Sequence, residues 1–126
     1  MKKLSTLLGG LLVLLVTACG ASPFGKVTAE QANDMVANQN AIIIDVREND
    51  EWNSQHIPGA IHIPLGQVQS RLAELEQYQG KPIIMQCRSG ARSARASGIL
   101  TDAGFTDVYN LTGGIIAWSK SGLKTQ

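Results

Sequence analysis

Cysteine is scarce in this chain: two residues in 126, at positions 19 and 87. Two thiols cannot build the disulfide framework that holds many small secreted domains together, so the fold must rest on an ordinary apolar core. Aromatic residues are few as well, at 5%, and neither sign of charge is in excess, since 11 Lys and Arg face 10 Asp and Glu. A nucleic-acid module needs a basic face to displace counterions from phosphates, and none is visible here. The chain is nevertheless 44% hydrophobic, too apolar for disorder, and its length admits a single domain.

The apolar residues are unevenly spread. Lys2 and Lys3 precede a stretch from Leu4 to Cys19 without a charge, rich in Leu and Val and ending in small residues. A basic start, a short apolar run and a small-residue end make a secretory signal, and the run is shorter than the ~20 residues a spanning helix needs. Its end, Leu15-Val16-Thr17-Ala18-Cys19-Gly20, resembles the lipobox of bacterial lipoproteins, which implies cleavage after residue 18 and a lipidated Cys19. The plain alternative is an ordinary signal-peptidase site after Ala18. Lipidation at Cys19 would anchor the protein to a membrane of the cell envelope, because each buried methylene contributes about 0.8 kcal/mol. Gly20 in place of Asp favours the outer membrane in a two-membrane cell, on the periplasmic face. The expected organisation is therefore a signal over 1–18, a lipidated cysteine and tether over 19–26, a domain over 27–122 and a tail over 123–126.

Within the mature part, Thr28 and Gln31 form a capping-box signature, and Ala32, Met35 and Val36 recur at helical spacing, predicting a helix over 29–38. Ala41 to Val46 is a continuous apolar run ending around an Asp, the pattern of a parallel strand covered on both faces. A polar loop follows, then a short strand over 60–63, and a helix whose face is marked by Val68, Leu72 and Leu75 and which runs to about Tyr78. Pro82 to Gln86 is another buried strand, a helix runs from about Arg92 to a stop at Gly104, and Asp107 to Leu111 with Gly114 to Lys120 add a last strand and helix. Alternating strands and helices predict one α/β domain with a mostly parallel sheet.

The chemistry converges on one loop. The strand ending at Gln86 runs directly into Cys87-Arg88-Ser89-Gly90-Ala91-Arg92-Ser93, and a helix begins there. Ligands of open α/β sheets collect at the carboxyl ends of strands. A cysteine at that point faces the positive end of a helix and its unpaired N–H groups, flanked by two arginines, and each influence favours thiolate over thiol. Gly90 lets the loop curl, and Ser89 or Ser93 can add a hydroxyl donor. A lone cysteine without clustered His or carboxylate cannot build a metal site, and no cofactor is called for.

This loop resembles the active-site loop of the rhodanese family of sulfurtransferases. The resemblance extends through Asp45-Val46-Arg47-Glu48, Glu51, the run His56-Ile57-Pro58-Gly59-Ala60-Ile61-His62-Ile63-Pro64-Leu65, and Gly113-Gly114 with Trp118, from about Val27 to Gly122. It implies a five-stranded, mostly parallel sheet with helices on both faces, and Cys87 as the nucleophile that carries sulfur as a persulfide. Backbone N–H groups from Arg88 through Ser89, Gly90 and Ala91 to Arg92 would cradle an anionic donor such as thiosulfate. The Arg88 and Arg92 side chains would attract it, and a thiol or cyanide would accept the sulfur.

Rival readings remain open at this point. Cys87 could be an inert core thiol or could hold sulfur for a partner protein without turnover. It could also serve phosphatase or arsenate-reductase chemistry, although those families resemble Cys-x5-Arg, whereas Cys87 to Arg92 is Cys-x4-Arg. Asp45 and Arg47 read as an internal ion pair supporting the loop, His56 and His62 as structural, Trp52 as packing, Trp118 as packing or pocket wall, and Glu74 and Glu76 as a polar helix face. A monomer is the default for so small a domain. With one thiol left in the mature fold, no dithiol cycle is possible within it.

Overall fold

The computed structural model describes residues 22–126; the signal-like segment and Cys19 lie outside the described residues. Five strands form one sheet: β1 (Gly25–Val27), β2 (Ile42–Asp45), β3 (Ile61–His62), β4 (Ile83–Gln86) and β5 (Val108–Leu111). The spatial order is β1-β5-β4-β2-β3, and every neighbouring pair is parallel. The predicted sheet is thus present, with all its pairings parallel.

Successive residues of the strands point to opposite faces, and each face has its own helices. Ile44, Ile83, Met85 and Val108 pack with Val68, Leu75, Leu100 and Phe105, beneath the segment over 65–78 and α5 (Ala91–Asp102). Ile43, Ile84 and Leu111 pack with Ala32, Met35, Ile115 and Trp118, beneath α1 (Ala29–Gln39) and α6 (Gly114–Lys120). Each large side chain so buried stabilises the fold by roughly 1.5–3 kcal/mol relative to exposure, before the entropy of ordering the chain is counted. All four residues of β4 are buried, which is why it reads as an apolar run from Ile83 to Met85, ending at the buried polar Gln86.

Three expectations are corrected. The proposed tether through residue 26 includes an edge strand: Gly25 to Val27 pair with Tyr109 to Leu111, and the Tyr109 ring lies where a Cβ on residue 25 would sit, 2.6 Å from its Cδ1. The polar loop after β2 contains α2 (Asn49–Ser54), closed by a capping box between Glu48 and Glu51 rather than by an apolar stripe. The single helix expected up to Tyr78 is instead α3 (Leu65–Val68) and α4 (Leu72–Leu75), each followed by a 3₁₀ turn, with Arg71 at φ −113° and ψ 15° breaking the helical path. The last residues are also held, because Gln126 exchanges two backbone hydrogen bonds with His56 and Lys124 O accepts from Trp118 Nε1.

Candidate active site

The sheet order locates the site. From β2 the chain moves outward to β3, whereas from β4 it moves the opposite way to β5, so the two connections part company between β2 and β4. Such a switch point opens a crevice at the carboxyl ends of the strands. Asp45 and Gln86, paired in register, end the two strands there, and Cys87 is the next residue.

Cys87 is 1% exposed, and its sulfur sits against the start of α5. Gly90 occupies the N-cap position at φ 117°, a conformation natural to glycine, and donates its backbone N–H to Cys87 Sγ at 3.0 Å. Ser93 Oγ lies 3.3 Å from the sulfur. Burial pushes the thiol up. The Ser93 hydroxyl and the N–H groups of Ser93, Gly90 and Ser89 pull it down and prevail, leaving Cys87 below the ordinary thiol value. Of the influences expected from the sequence, the loop N–H groups and the Ser93 hydroxyl are the donors that reach the sulfur, whereas neither arginine bonds to it.

The arginines differ from each other. Arg92 forms a two-pronged pair with Glu51 across 41 residues of chain, with Nη1 2.6 Å from Oε1 and Nη2 2.9 Å from Oε2. That bond holds the Glu51 carboxyl at about 2 against the opposing effect of burial. The same carboxylate raises Arg92 first and most, and the Cys87 charge adds to it from farther away. Arg92 therefore braces α2 against α5 and is no free cation. Arg88 is exposed and forms no ion pair among the described residues.

Asp45 and Arg47 form the internal pair the sequence suggested. Arg47 is 3% exposed, its Nη2 lies 2.7 Å from Asp45 Oδ2, and the same nitrogen donates to Gln55 O at 2.7 Å, tying the turn after β2 to the carboxyl end of α2. His62 Nε2 donates to Arg47 O at 2.7 Å, and His56 Nδ1 donates to Trp52 O at 3.0 Å. Trp52 stacks between the two imidazoles, with centroids 3.8 and 4.8 Å away and planes within 7°. None of these rings faces the sulfur by hydrogen bond. Glu74 pairs with Arg71 on the surface, as expected of a polar face.

The paired glycines explain themselves at α6. Ile115 N–H donates to Cys87 O at 2.9 Å and Ile116 N–H to Arg88 O at 3.3 Å, so the loop carbonyls cap this helix. A Cβ on Gly114 would stand 2.5 Å from Cys87 O and as close to Arg88, which leaves room only for hydrogen. Beside the loop opens a cavity of about 410 Å³ lined by Arg47, Glu51, Arg88, Ile115, Ser119 and Lys120. Trp118 is not on its wall; it is 5% exposed and belongs to the core under α1 and α6. Among the described residues, no three His, Cys, Asp or Glu side chains come together as a metal would require.

Sequence reasoning missed three participants: Glu51 as the partner of Arg92, Lys120 on the cavity rim, and Asn110. Asn110 lies on the α5 side of β5, 7% exposed, bonded to both Ser93 and Gly90. The available signal was a polar residue inside the apolar run Val108-Tyr109-Asn110-Leu111, where the alternation of a buried strand calls for another hydrophobe.

Comparison with known proteins bears on the family and the fold. Residues 28–121 match the model of the rhodanese-like domain. A protein of Allochromatium vinosum named "Sulfurtransferase" is 32% identical over 78% of this chain and 91% of its own length. A Bacillus subtilis protein named "Putative sulfur carrier protein YrkF" is 37% identical over 79% of this chain, which spans about half (53%) of that relative. Among solved structures, a thiosulfate sulfurtransferase from Pseudomonas aeruginosa superposes with a TM-score of 0.74 at 30% identity, over 82% of this chain and 20% of its own. The chain belongs to the rhodanese-like domain family.

Proposed function

We propose that this protein is a sulfurtransferase in which Cys87 is the nucleophile and the transient sulfur carrier. The observation that carries the reading is the Cys87 sulfur at the start of α5, 3.0 Å from Gly90 N, in a loop whose N–H groups answer no side-chain cap. The thiolate attacks the outer sulfur of a sulfane donor. With thiosulfate, a bond forms between Cys87 Sγ and that sulfur, the bond to the sulfonate sulfur breaks, and sulfite leaves with the electron pair. The product is an anionic persulfide whose outer sulfur the loop amides stabilise. Cyanide or a thiolate then attacks the outer sulfur and restores the Cys87 thiolate. No general base is invoked, because the Ser93 hydroxyl and the loop amides favour the thiolate as the attacking group.

Thiosulfate suits the cavity because Arg88 and Lys120 on its wall form no ion pair among the described residues. The resemblance to the Pseudomonas thiosulfate sulfurtransferase supports the same donor. Phosphatase chemistry is the weaker reading, since the arginine that would clamp a phosphoryl group, Arg92, is held by Glu51. Turnover of thiosulfate with cyanide should give parallel double-reciprocal lines. Sulfur loading without turnover would make the protein a carrier, as the name of the Bacillus relative suggests for that protein. Hydrolysis of an aryl phosphate in the absence of both would overturn the sulfur reading.

We further propose that a lipid on Cys19 holds the domain at the envelope membrane, on the strength of the residues around that cysteine. Cys19→Ala should move the protein to the soluble fraction with its turnover intact, and retention on the membrane would contradict the anchor.

A further inference from the structure

The Ser93 hydroxyl has one proton and three acceptors within reach: Asn110 Oδ1 at 2.6 Å, Gly90 O at 3.2 Å and Cys87 Sγ at 3.3 Å. Gly90 O is already served, by Asn110 Nδ2 at 3.1 Å and by Ala94 N–H at 3.1 Å. The first of these bonds also fixes the Asn110 amide, because turning it over would set Oδ1 against that carbonyl. The real contest is therefore between Asn110 Oδ1 and the sulfur. Ser93 is fully buried and Asn110 7% exposed, so little solvent is at hand to satisfy the loser.

Each orientation suits a different charge on Sγ. A proton turned to Asn110 leaves an Oγ lone pair facing the sulfur, which suits a neutral S–H donor; the uncharged inner sulfur of a persulfide, a weak acceptor with no proton of its own, competes poorly for the hydroxyl and leaves it with Asn110. A proton turned to Sγ stabilises a thiolate and leaves Asn110 Oδ1 without its donor, a cost of a buried unpaired acceptor. We propose that Asn110 is a positioning residue that competes with Cys87 for the Ser93 proton, so that the hydroxyl turns toward Sγ in the empty thiolate and back to Asn110 when the charge moves to the outer sulfur. Asn110 thereby weakens the hold on the empty thiolate relative to the loaded state and keeps the nucleophile reactive. The loaded half of this statement rests on the sulfurtransferase reading; the competition in the unloaded protein does not.

The charged groups nearest the loop and its neighbouring cavity are the Arg92–Glu51 pair on α5 and α2, the Asp45–Arg47 pair at the end of β2, Arg88 on the loop and Lys120 on α6. None is altered in the test. In the full chain carrying Cys19→Ala, Cys87 is the one thiol, and the pH dependence of its alkylation by iodoacetamide reads its apparent pKa. Asn110→Val should lower that value by roughly half to one pH unit, the scale of one hydrogen bond, and Ser93→Ala should raise it. Asn110→Val also removes the bond from Asn110 Nδ2 to Gly90 O, but that loss is common to both backgrounds, so adding Asn110→Val to Ser93→Ala should lower the value by less than Asn110→Val does alone. An unchanged or raised value in Asn110→Val, or an equal drop in the Ser93→Ala background, would overturn the proposal.

Should Asn110→Val fail to fold, the Asn110 side-chain carbonyl of the otherwise unaltered protein serves, read by ¹³C NMR. Its shift should follow the Cys87 titration and return toward the thiol value after loading with thiosulfate. A shift that ignores the titration would overturn the proposal. A shift that follows the titration in a protein that neither thiosulfate nor any other sulfane donor tried can load would support the competition while removing the sulfurtransferase reading.

Discussion

Three helices of this domain begin in three different ways. The first turn of α1 is closed by its own side chains: Thr28 Oγ1 accepts from Gln31 N at 3.2 Å, and Gln31 Oε1 accepts from Thr28 N at 2.9 Å. At α6 the first N–H groups are taken by the carbonyls of Cys87 and Arg88. At α5 neither device is present; the N-cap is a left-handed glycine and the N–H groups point at a sulfur. A glycine N-cap forgoes only about a few tenths of a kcal/mol relative to Ser or Thr, and it leaves these N–H groups open to an anion, the role the proposed function gives them. The other two starts stabilise the scaffold on which that exception rests.

Gly114→Ala should have the largest effect. The new methyl meets the backbone at Cys87 O, so the contact between α6 and the loop must open, costing about 2 kcal/mol or more and most of the sulfur-transfer activity. Thermal unfolding and thiosulfate turnover would register both losses. Gly90→Ala should separate them better: the methyl would meet its neighbours only at ordinary van der Waals distance, the nearest being Gly113 N at 3.6 Å, but φ 117° is unfavourable to alanine, so the amide that faces the sulfur turns away. Turnover should fall by about 100-fold, the scale of one lost oxyanion donor, with a smaller loss of stability. Thr28→Ala is the control at the self-capped start, expected to cost about 1 kcal/mol in denaturant unfolding and to leave Cys87 alkylation unchanged.

The smallest effect concerns acid. Glu51 is held at about 2 in the fold against an ordinary 4.5, so its pair with Arg92 contributes stability that is complete above the ordinary value and is lost as pH falls toward 2. Melting temperatures of the unaltered protein and Glu51→Gln should therefore differ most near neutrality and converge as pH drops from about 4.5 to 2. A constant gap across that range would show that the pair does not titrate as described.

What could be read from the sequence was local. The strands at 42–45, 83–86 and 108–111 announce themselves as apolar runs, and the Cys87 loop is contiguous, so its junction with a helix is visible in seven residues. What escaped depends on distant chain. Gly25 to Val27 is too short to signal a strand, and becomes one because β5 offers an edge and Tyr109 needs a residue without a side chain beside it. Arg92 looks like a free cation until α2 brings Glu51 to it from 41 positions away. Asn110 looks like a flaw in an apolar strand until Ser93 and Gly90 are seen to use both ends of its amide. The break at Arg71 is likewise invisible in the spacing of Val68, Leu72 and Leu75, which keeps its helical period across it.

The most direct test of the central claim is the intact mass of the purified protein after incubation with thiosulfate. The account predicts a gain of one sulfur, removed by cyanide and absent in Cys87→Ser. An unchanged mass with thiosulfate and with every other sulfane donor tried, or a sulfur that persists in Cys87→Ser, would contradict it.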